Sequence, residues 1–85
     1  PKPINISLPT IPGDIDGEIS GGVELLLFVN TSGEVDEIRL ARGMEHESLN
    51  RTAIEAARTY KFIPGEIKGV PTAMWVRVTI GFRPR

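Results

Sequence analysis

Residues 60–71 carry the stretch that decides the fold of this chain, Tyr-Lys-Phe-Ile-Pro-Gly-Glu-Ile-Lys-Gly-Val-Pro, and residues 74–82 follow with Met-Trp-Val-Arg-Val-Thr-Ile-Gly-Phe. The first part ends a helix on an aromatic residue, and its prolines and glycines then turn the chain. The second part alternates apolar residues with others, as a strand with one buried face does. We therefore expect a long last strand over residues 72–83.

Two further strands are predicted upstream, joined by a turn. Residues 23–30 are apolar on both faces, which indicates a central strand. Residues 30–33, Asn-Thr-Ser-Gly, form the turn, and residues 35–42 return as the second strand of a hairpin. Residues on one face of a regular strand recur every two positions, but the apolar residues Val35 and Ile38 are three positions apart. We therefore expect a bulge between them.

A helix is predicted over residues 47–60. Its apolar residues recur at helical spacing and form one stripe, Leu49, Ala53, Ala56 and Tyr60. The small alanines of this stripe allow the helix to lie close to a sheet. Pro64 and Gly65 prevent the helix from continuing.

These elements predict an α+β fold with the order β-β-α-β. The three strands form an antiparallel sheet in the order 2-1-3, with the helix packed on one face. An extended, proline-rich leader over residues 1–12 precedes the domain, which spans residues 13–85. Its apolar residues alternate and are consistent with a short edge strand or with a segment lying over the core.

The two edges of this sheet differ in charge. The second strand is protected by charged residues, whereas the last strand carries only Arg77 within its body. A long, unprotected edge indicates a partner, which is a second copy, the leader or a ligand peptide.

Composition excludes several classes of function. Eighty-five residues make one small domain, and a net charge of −1 with mixed signs argues against nucleic-acid binding. The absence of cysteine excludes a disulfide scaffold and thiol chemistry. The sequence contains neither a spanning apolar run nor a signal peptide. Since it begins at Pro1 without Met, we expect a domain of a longer protein.

The candidate chemical residues do not form a catalytic set, so we expect neither an enzyme nor a cofactor or metal site. His46 is the sole histidine, and its acidic neighbours do not supply a coherent ligand set. Ser48 is expected to be a cap or first-turn residue rather than a nucleophile. Asp14, Asp16 and Glu18 resemble the opening of a calcium loop but lack the spacing of its later ligands.

Trp75 has two interpretations. The first, which we favour, is packing against the leader on the outer face of the sheet, beside Ile4, Ile6 or Leu8. The second is a binding role, because tryptophan beside a free edge is typical of interaction hot spots.

The sequence resembles the C-terminal domain of TonB-type energy transducers over roughly residues 12–83. The resemblance rests on residues 22–35, on residues 49–64 with their Tyr-Lys-Phe-Ile-Pro ending, and on Gly69-Val70-Pro71 before the alternating strand that ends in Phe82. The family often has Trp in place of Tyr60. It often has Tyr-Pro before the first strand, in place of Ile11-Pro12.

The resemblance implies a periplasmic domain anchored in the inner membrane by a segment upstream of Pro1, with residues 1–12 as the end of a periplasmic spacer. The anchor would engage the proton-driven ExbB–ExbD motor. The domain would bind the N-terminal box peptide of an outer-membrane TonB-dependent transporter for siderophore or nutrient uptake. That peptide would pair with the last strand, at Ala73, Met74, Trp75, Val76, Arg77, Val78, Thr79 and Ile80. A TolA-like envelope adaptor and a homodimer formed by strand exchange are the alternatives.

Overall fold

The computed structural model of the chain describes residues 1–15 and 21–83. Its helix is α1 (Glu47–Ala57). Its strands are β1 (Lys2–Asn5), β2 (Val23–Val29), β3 (Val35–Arg42), β4 (Lys61–Ile63), β5 (Gly65–Ile67), β6 (Val70–Thr72) and β7 (Met74–Ile80).

The main sheet is antiparallel and three-stranded, in the order β3-β2-β7. Its central strand β2 supplies much of the core, because four of its side chains are fully buried, Val23, Leu25, Leu27 and Val29. The predicted bulge is confirmed, since Phe28 lies opposite Glu37 whereas Val29 lies opposite Val35. The four buried side chains of β2 lie on one face of the sheet, called here the buried face. The opposite face is called the outer face.

Helix α1 packs over β2 and β3 on the buried face. It buries Leu49 and Ala53 of the predicted stripe, whereas Ala57 is fully buried and the predicted Ala56 only partly. The helix ends earlier than expected, because the Tyr60 N–H donates to the Ala57 carbonyl at 3.1 Å in a tighter turn. Tyr60 is still buried, but it lies beyond the helix.

Of the two alternatives for the leader, the short strand is confirmed as β1, but the sequence prediction missed β4, β5 and β6 and the two smaller sheets that these strands form. Strand β1 pairs with β4, and β5 pairs with β6, so residues 60–71 are not simply a loop. The β5–β6 hairpin turns at Lys68 and Gly69, whose φ angles of 51° and 79° give the two-residue turn that matches strand twist. Strands of three or four residues are too short to show a periodic pattern, and β1 meets β4 only through tertiary folding.

The leader is bound to the domain at several points. Besides the pairing of β1 with β4, the Tyr60 hydroxyl donates to the Ser7 carbonyl at 3.4 Å, and burial raises the pKa of this phenol. Arg83 donates its backbone N–H to the Pro9 carbonyl and accepts from the Ile11 N–H, at 2.8 and 3.1 Å. These contacts place residues 1–11 against the fold.

Candidate functional site

Strand β7 offers a free sheet edge. Within residues 1–15 and 21–83, β7 pairs with β2 along its whole length, from Met74 opposite Val29 to Ile80 opposite Val23. The main sheet ends with β7 on that side. Seven of the eight sequence-predicted site residues form β7, and Ala73 directly precedes it.

The backbone groups available on this edge belong to alternate residues. A Cβ added to Gly22 would lie 2.5 Å from the Ile80 carbonyl oxygen, so this carbonyl points toward β2. Hydrogen-bonding direction alternates along an antiparallel strand. The N–H and C=O groups of Trp75, Arg77 and Thr79 therefore point toward the free side.

The edge has a defined length. On the N-terminal side of β7, Thr72 pairs with Gly65 in the β5–β6 hairpin. At the other end, the backbone N–H and C=O of Arg83 are bonded to the leader. The stretch between these contacts spans residues 73–82, which suits one extended segment of a partner.

The side chains of β7 divide between the two faces of the sheet. Met74, Val76 and Val78 are half-buried on the helix side, whereas Trp75, Arg77 and Thr79 are exposed on the outer face. Because α1 packs over β2 and β3, the apolar side chains next to the free edge remain partly accessible. The edge is therefore apolar on one face and mixed on the other.

The Trp75 ring packs against side chains of the two neighbouring strands. Its ring centroid is 5.2 Å from that of Phe28, with the planes tilted by 58°. The Arg39 guanidinium carbon lies 5.0 Å from the Trp75 ring centroid, in range of a cation–π contact. The leader residues expected to pack against Trp75 are exposed, Ile4, Ile6 and Leu8.

The charged residues of the outer face form two ion pairs, one between β7 and β2 and one within β3. Arg77 Nε lies 3.4 Å from Glu24 Oε1, and Arg39 Nε lies 3.2 Å from Glu37 Oε2. Both arginine side chains are more than 60% exposed, so solvent screens these pairs and each contributes little to stability.

The other candidate residues lie away from this edge. His46 is the N-cap residue of α1 and makes no side-chain capping bond. The buried Ser48 hydroxyl has no hydrogen-bond partner among the described residues. The described part of the chain holds no group of three or more potential metal ligands. Asp14 is exposed, while Asp16 and Glu18 of the calcium-loop pattern lie outside the described residues.

Sequence reasoning missed Phe28 and Arg39 as neighbours of Trp75. The signal for Phe28 was the second apolar face of β2, which places it directly opposite Trp75. Arg39 reaches Trp75 from β3 across the central strand, and no spacing in the sequence shows such a contact. Asn50 was also missed. Its buried amide accepts from the Met44 N–H at 2.7 Å and fixes the loop before α1.

The fold defines a small α+β domain in which β7 forms one edge of the main sheet and β3 forms the other. Residues 15–84 match the family model of the Gram-negative bacterial TonB protein C-terminal domain. The chain belongs to this family, which confirms the resemblance seen in its sequence.

Two curated relatives agree with the family assignment. Both are named protein TonB and come from two strains of Xanthomonas campestris pv. campestris. Each is 30% identical over 71 residues, which cover 84% of this chain and 32% of the relative. The chain thus spans about a third of the length of these relatives. Among its described residues, no helix is long and apolar enough to cross a membrane.

Proposed function

We propose that this chain is the periplasmic C-terminal domain of a TonB-type energy transducer, and that β7 binds the N-terminal box peptide of an outer-membrane TonB-dependent transporter. In this proposal, the upstream part of the protein is anchored in the inner membrane and engages the ExbB–ExbD motor. The domain then transmits force to the transporter for active uptake. Residues 1–12 are the end of the spacer that leads to the anchor.

The free edge of β7 is the observation that carries this proposal. Trp75, Arg77 and Thr79 each present one donor and one acceptor to a strand on that side. An extended peptide satisfies these groups by continuing the sheet, which is the binding mode called β-augmentation. No catalytic residue is needed, because the work of the domain is mechanical.

The binding energy between β7 and the peptide comes from several backbone hydrogen bonds, each of which is weak. Each backbone hydrogen bond contributes about 0.5–1.5 kcal/mol net, so the groups of three residues together support specific but reversible binding. Bonds loaded together along the strand direction resist a pull better than the same bonds broken one at a time. Apolar partner side chains beside the half-buried Val76 and Val78 add burial.

An Arg77→Pro variant tests the edge directly. Proline removes the Arg77 N–H on the free side and leaves the bonds to β2 in place. Arg77→Ala is the matched control, because it removes the same side chain but keeps the N–H. Calorimetric titration with a synthetic transporter box peptide should show at least about tenfold weaker binding for the proline variant, and a smaller loss for the alanine variant.

Unchanged affinity of Arg77→Pro would show that the peptide does not bind at β7. Circular dichroism of both variants checks that the fold is retained.

Dimerisation through the same free edge is the second candidate, because a second copy of β7 also offers unpaired backbone groups. Light scattering with and without box peptide separates the two functions. A monomer, or a dimer that dissociates on peptide addition, supports peptide binding. A tight dimer that ignores the peptide supports dimerisation.

A further inference from the structure

We propose that the outer face of the sheet selects the strand that joins β7. The selected segment carries an acidic side chain opposite Arg77 and an apolar or aromatic side chain opposite Trp75, two positions apart. This inference rests on the proposed function of the β7 edge and adds the side-chain chemistry of the partner.

The cross-strand register of the sheet defines these two subsites. On the outer face, Glu37, Phe28 and Trp75 form one row across the strands, and Arg39, Leu26 and Arg77 form the next. A strand added at the free edge extends each row by one residue. Directly opposite side chains have Cβ atoms about 4.5–5.5 Å apart, so each added residue touches its β7 neighbour.

Arg77 favours a carboxylate in its row. Its guanidinium lies 3.4 Å from Glu24 through Nε, and its side chain is 62% exposed. A guanidinium has five N–H donors in a planar fork, so its outer nitrogens can bind a second carboxylate from the free side.

The charges of the paired outer-face residues favour the same partner. Arg39, Arg42 and Arg77 face Glu24 and Glu37 in the register of the three strands. Asp36 of β3 adds a third carboxylate, held by the Asn30 side chain at 3.0 Å, so these charges balance, and Arg77 is the charged residue of β7 itself. An acidic residue on the incoming strand therefore has a cation as its nearest charged neighbour on β7.

Trp75 favours an apolar or aromatic residue in the other row. Phe28 and Arg39 contact its ring, yet 41% of the residue remains exposed. A side chain on the added strand covers the exposed part of the ring. Removing aromatic surface from water in this way is typical of residues that dominate binding energy.

The helix-side positions complete the recognition pattern. On the added strand, every second residue occupies a subsite on the outer face. The residues between them lie on the helix side, beside Val76 and Val78, which are half-buried. The partner segment is therefore apolar next to Val78, acidic next to Arg77, apolar next to Val76, and apolar or aromatic next to Trp75.

A host–guest peptide series tests this pattern. The host is a synthetic seven-residue peptide with valine at alternate positions and serine between them, and Asp or Lys replaces each serine in turn. Calorimetry gives the affinity. Fluorescence of Trp75, the single tryptophan of the chain, reports contact at the edge. At one guest position, Asp should bind about three- to tenfold more tightly than Lys.

Arg77→Glu should reverse this preference at that guest position. Arg51→Glu is the matched control, because it makes the same charge change on an exposed residue of α1 and should leave the preference unchanged. In the best Asp peptide, replacing the serine two positions away with Phe should strengthen binding and shift the Trp75 emission.

The outcomes separate this inference from the proposed function. If wild-type protein binds the host peptide but Asp and Lys guests bind equally at every position, the side-chain selection is wrong and the edge function stands. An equal Asp preference in wild type and Arg77→Glu also overturns the inference. If no peptide of the series binds and the transporter box peptide does not bind either, both proposals fail.

Discussion

The backbone N–H of Arg83 donates to the carbonyl oxygen of Pro9 at 2.8 Å, which joins the leader to the chain segment beyond β7. The Arg83 side chain strengthens this link, because Nε donates to the Leu8 carbonyl at 2.8 Å and Nη2 to the Thr10 hydroxyl at 3.5 Å. The leader therefore supports the segment that follows the candidate binding edge.

Arg83→Ala should lower the free energy of unfolding by about 0.5–1.5 kcal/mol, because it removes the side-chain bonds and keeps the backbone bonds. Urea denaturation measures the change. Arg51→Ala, on the exposed side of α1, is the control and should change stability by less than about 0.5 kcal/mol. Equal effects of the two variants would mean that the leader adds no stability through Arg83.

Gly33 and Gly69 provide a matched pair with positive φ angles, 86° and 79°. A Cβ on Gly33 would overlap the Phe62 carbonyl oxygen, whereas a Cβ on Gly69 meets nothing within 4 Å. Gly69→Ala should cost about 1 kcal/mol from backbone strain alone. Gly33→Ala should cost more than about 2 kcal/mol, because the backbone of β4 must also move.

Thermal unfolding of both glycine variants tests this difference. A similar loss of stability at the two sites would show that the contact between Gly33 and β4 is not tight.

The N-terminus of α1 can be improved at His46. The N-cap residue has an extended backbone, with φ −89° and ψ 122°, but its side chain caps no N–H group. His46→Asp should raise the free energy of unfolding by about 0.5–2 kcal/mol, because its carboxylate accepts from the first turn and favours the helix dipole.

His46→Ala is the control for this substitution. Since His46 makes no side-chain cap, alanine should leave the stability nearly unchanged. Chemical denaturation of the three proteins at neutral pH measures both effects. If His46→Ala lost as much stability as the removal of a hydrogen-bonding N-cap side chain does, His46 would stabilise the start of α1 after all.

The ion pair between Lys61 and Glu34 should make stability depend on pH. Lys61 Nζ lies 2.9 Å from Glu34 Oε2, and this hydrogen bond and charge hold the pKa of the Glu34 carboxyl below its usual 4.5. The folded state therefore favours the ionised carboxyl more than the unfolded state does. The stabilisation is present above pH 4.5 and is lost as the pH falls through the folded-state pKa.

Urea denaturation of wild type and Lys61→Met between pH 7 and about pH 3 tests this linkage. The stability difference between the two proteins should shrink on acidification, and it should be small throughout because both groups are exposed. A constant difference across this range would show that Glu34 gains nothing from Lys61.

Strong local patterns made much of the fold predictable. The apolar run of β2, the broken alternation of β3 and the regular alternation of β7 each identify a strand from neighbouring residues. The stripe of Leu49 and Ala53 identifies the buried side of the helix in the same way. These signals are local, because each reports which side chains of one element share a face.

The pairings of β1 with β4 and of Arg83 with the leader were not predictable in this way. Strands β1 and β4 are short, and the leader pairs with Arg83 at a single position, Thr10. In both cases the paired residues lie far apart in the sequence. Such contacts depend on where the core places the chain ends. Trp75 shows the same limit, because the sequence placed it on the outer face but did not identify Phe28 and Arg39 as its contacts.

The sequence by itself therefore determined the α+β class, the main strands and helix, the family and the residues of the candidate edge. Only the tertiary structure decided how the leader packs, which backbone groups of β7 face outward and which side chains surround Trp75. The physical reason is that side-chain periodicity is set by each element alone, whereas contacts across strands require those elements to be folded onto a common core.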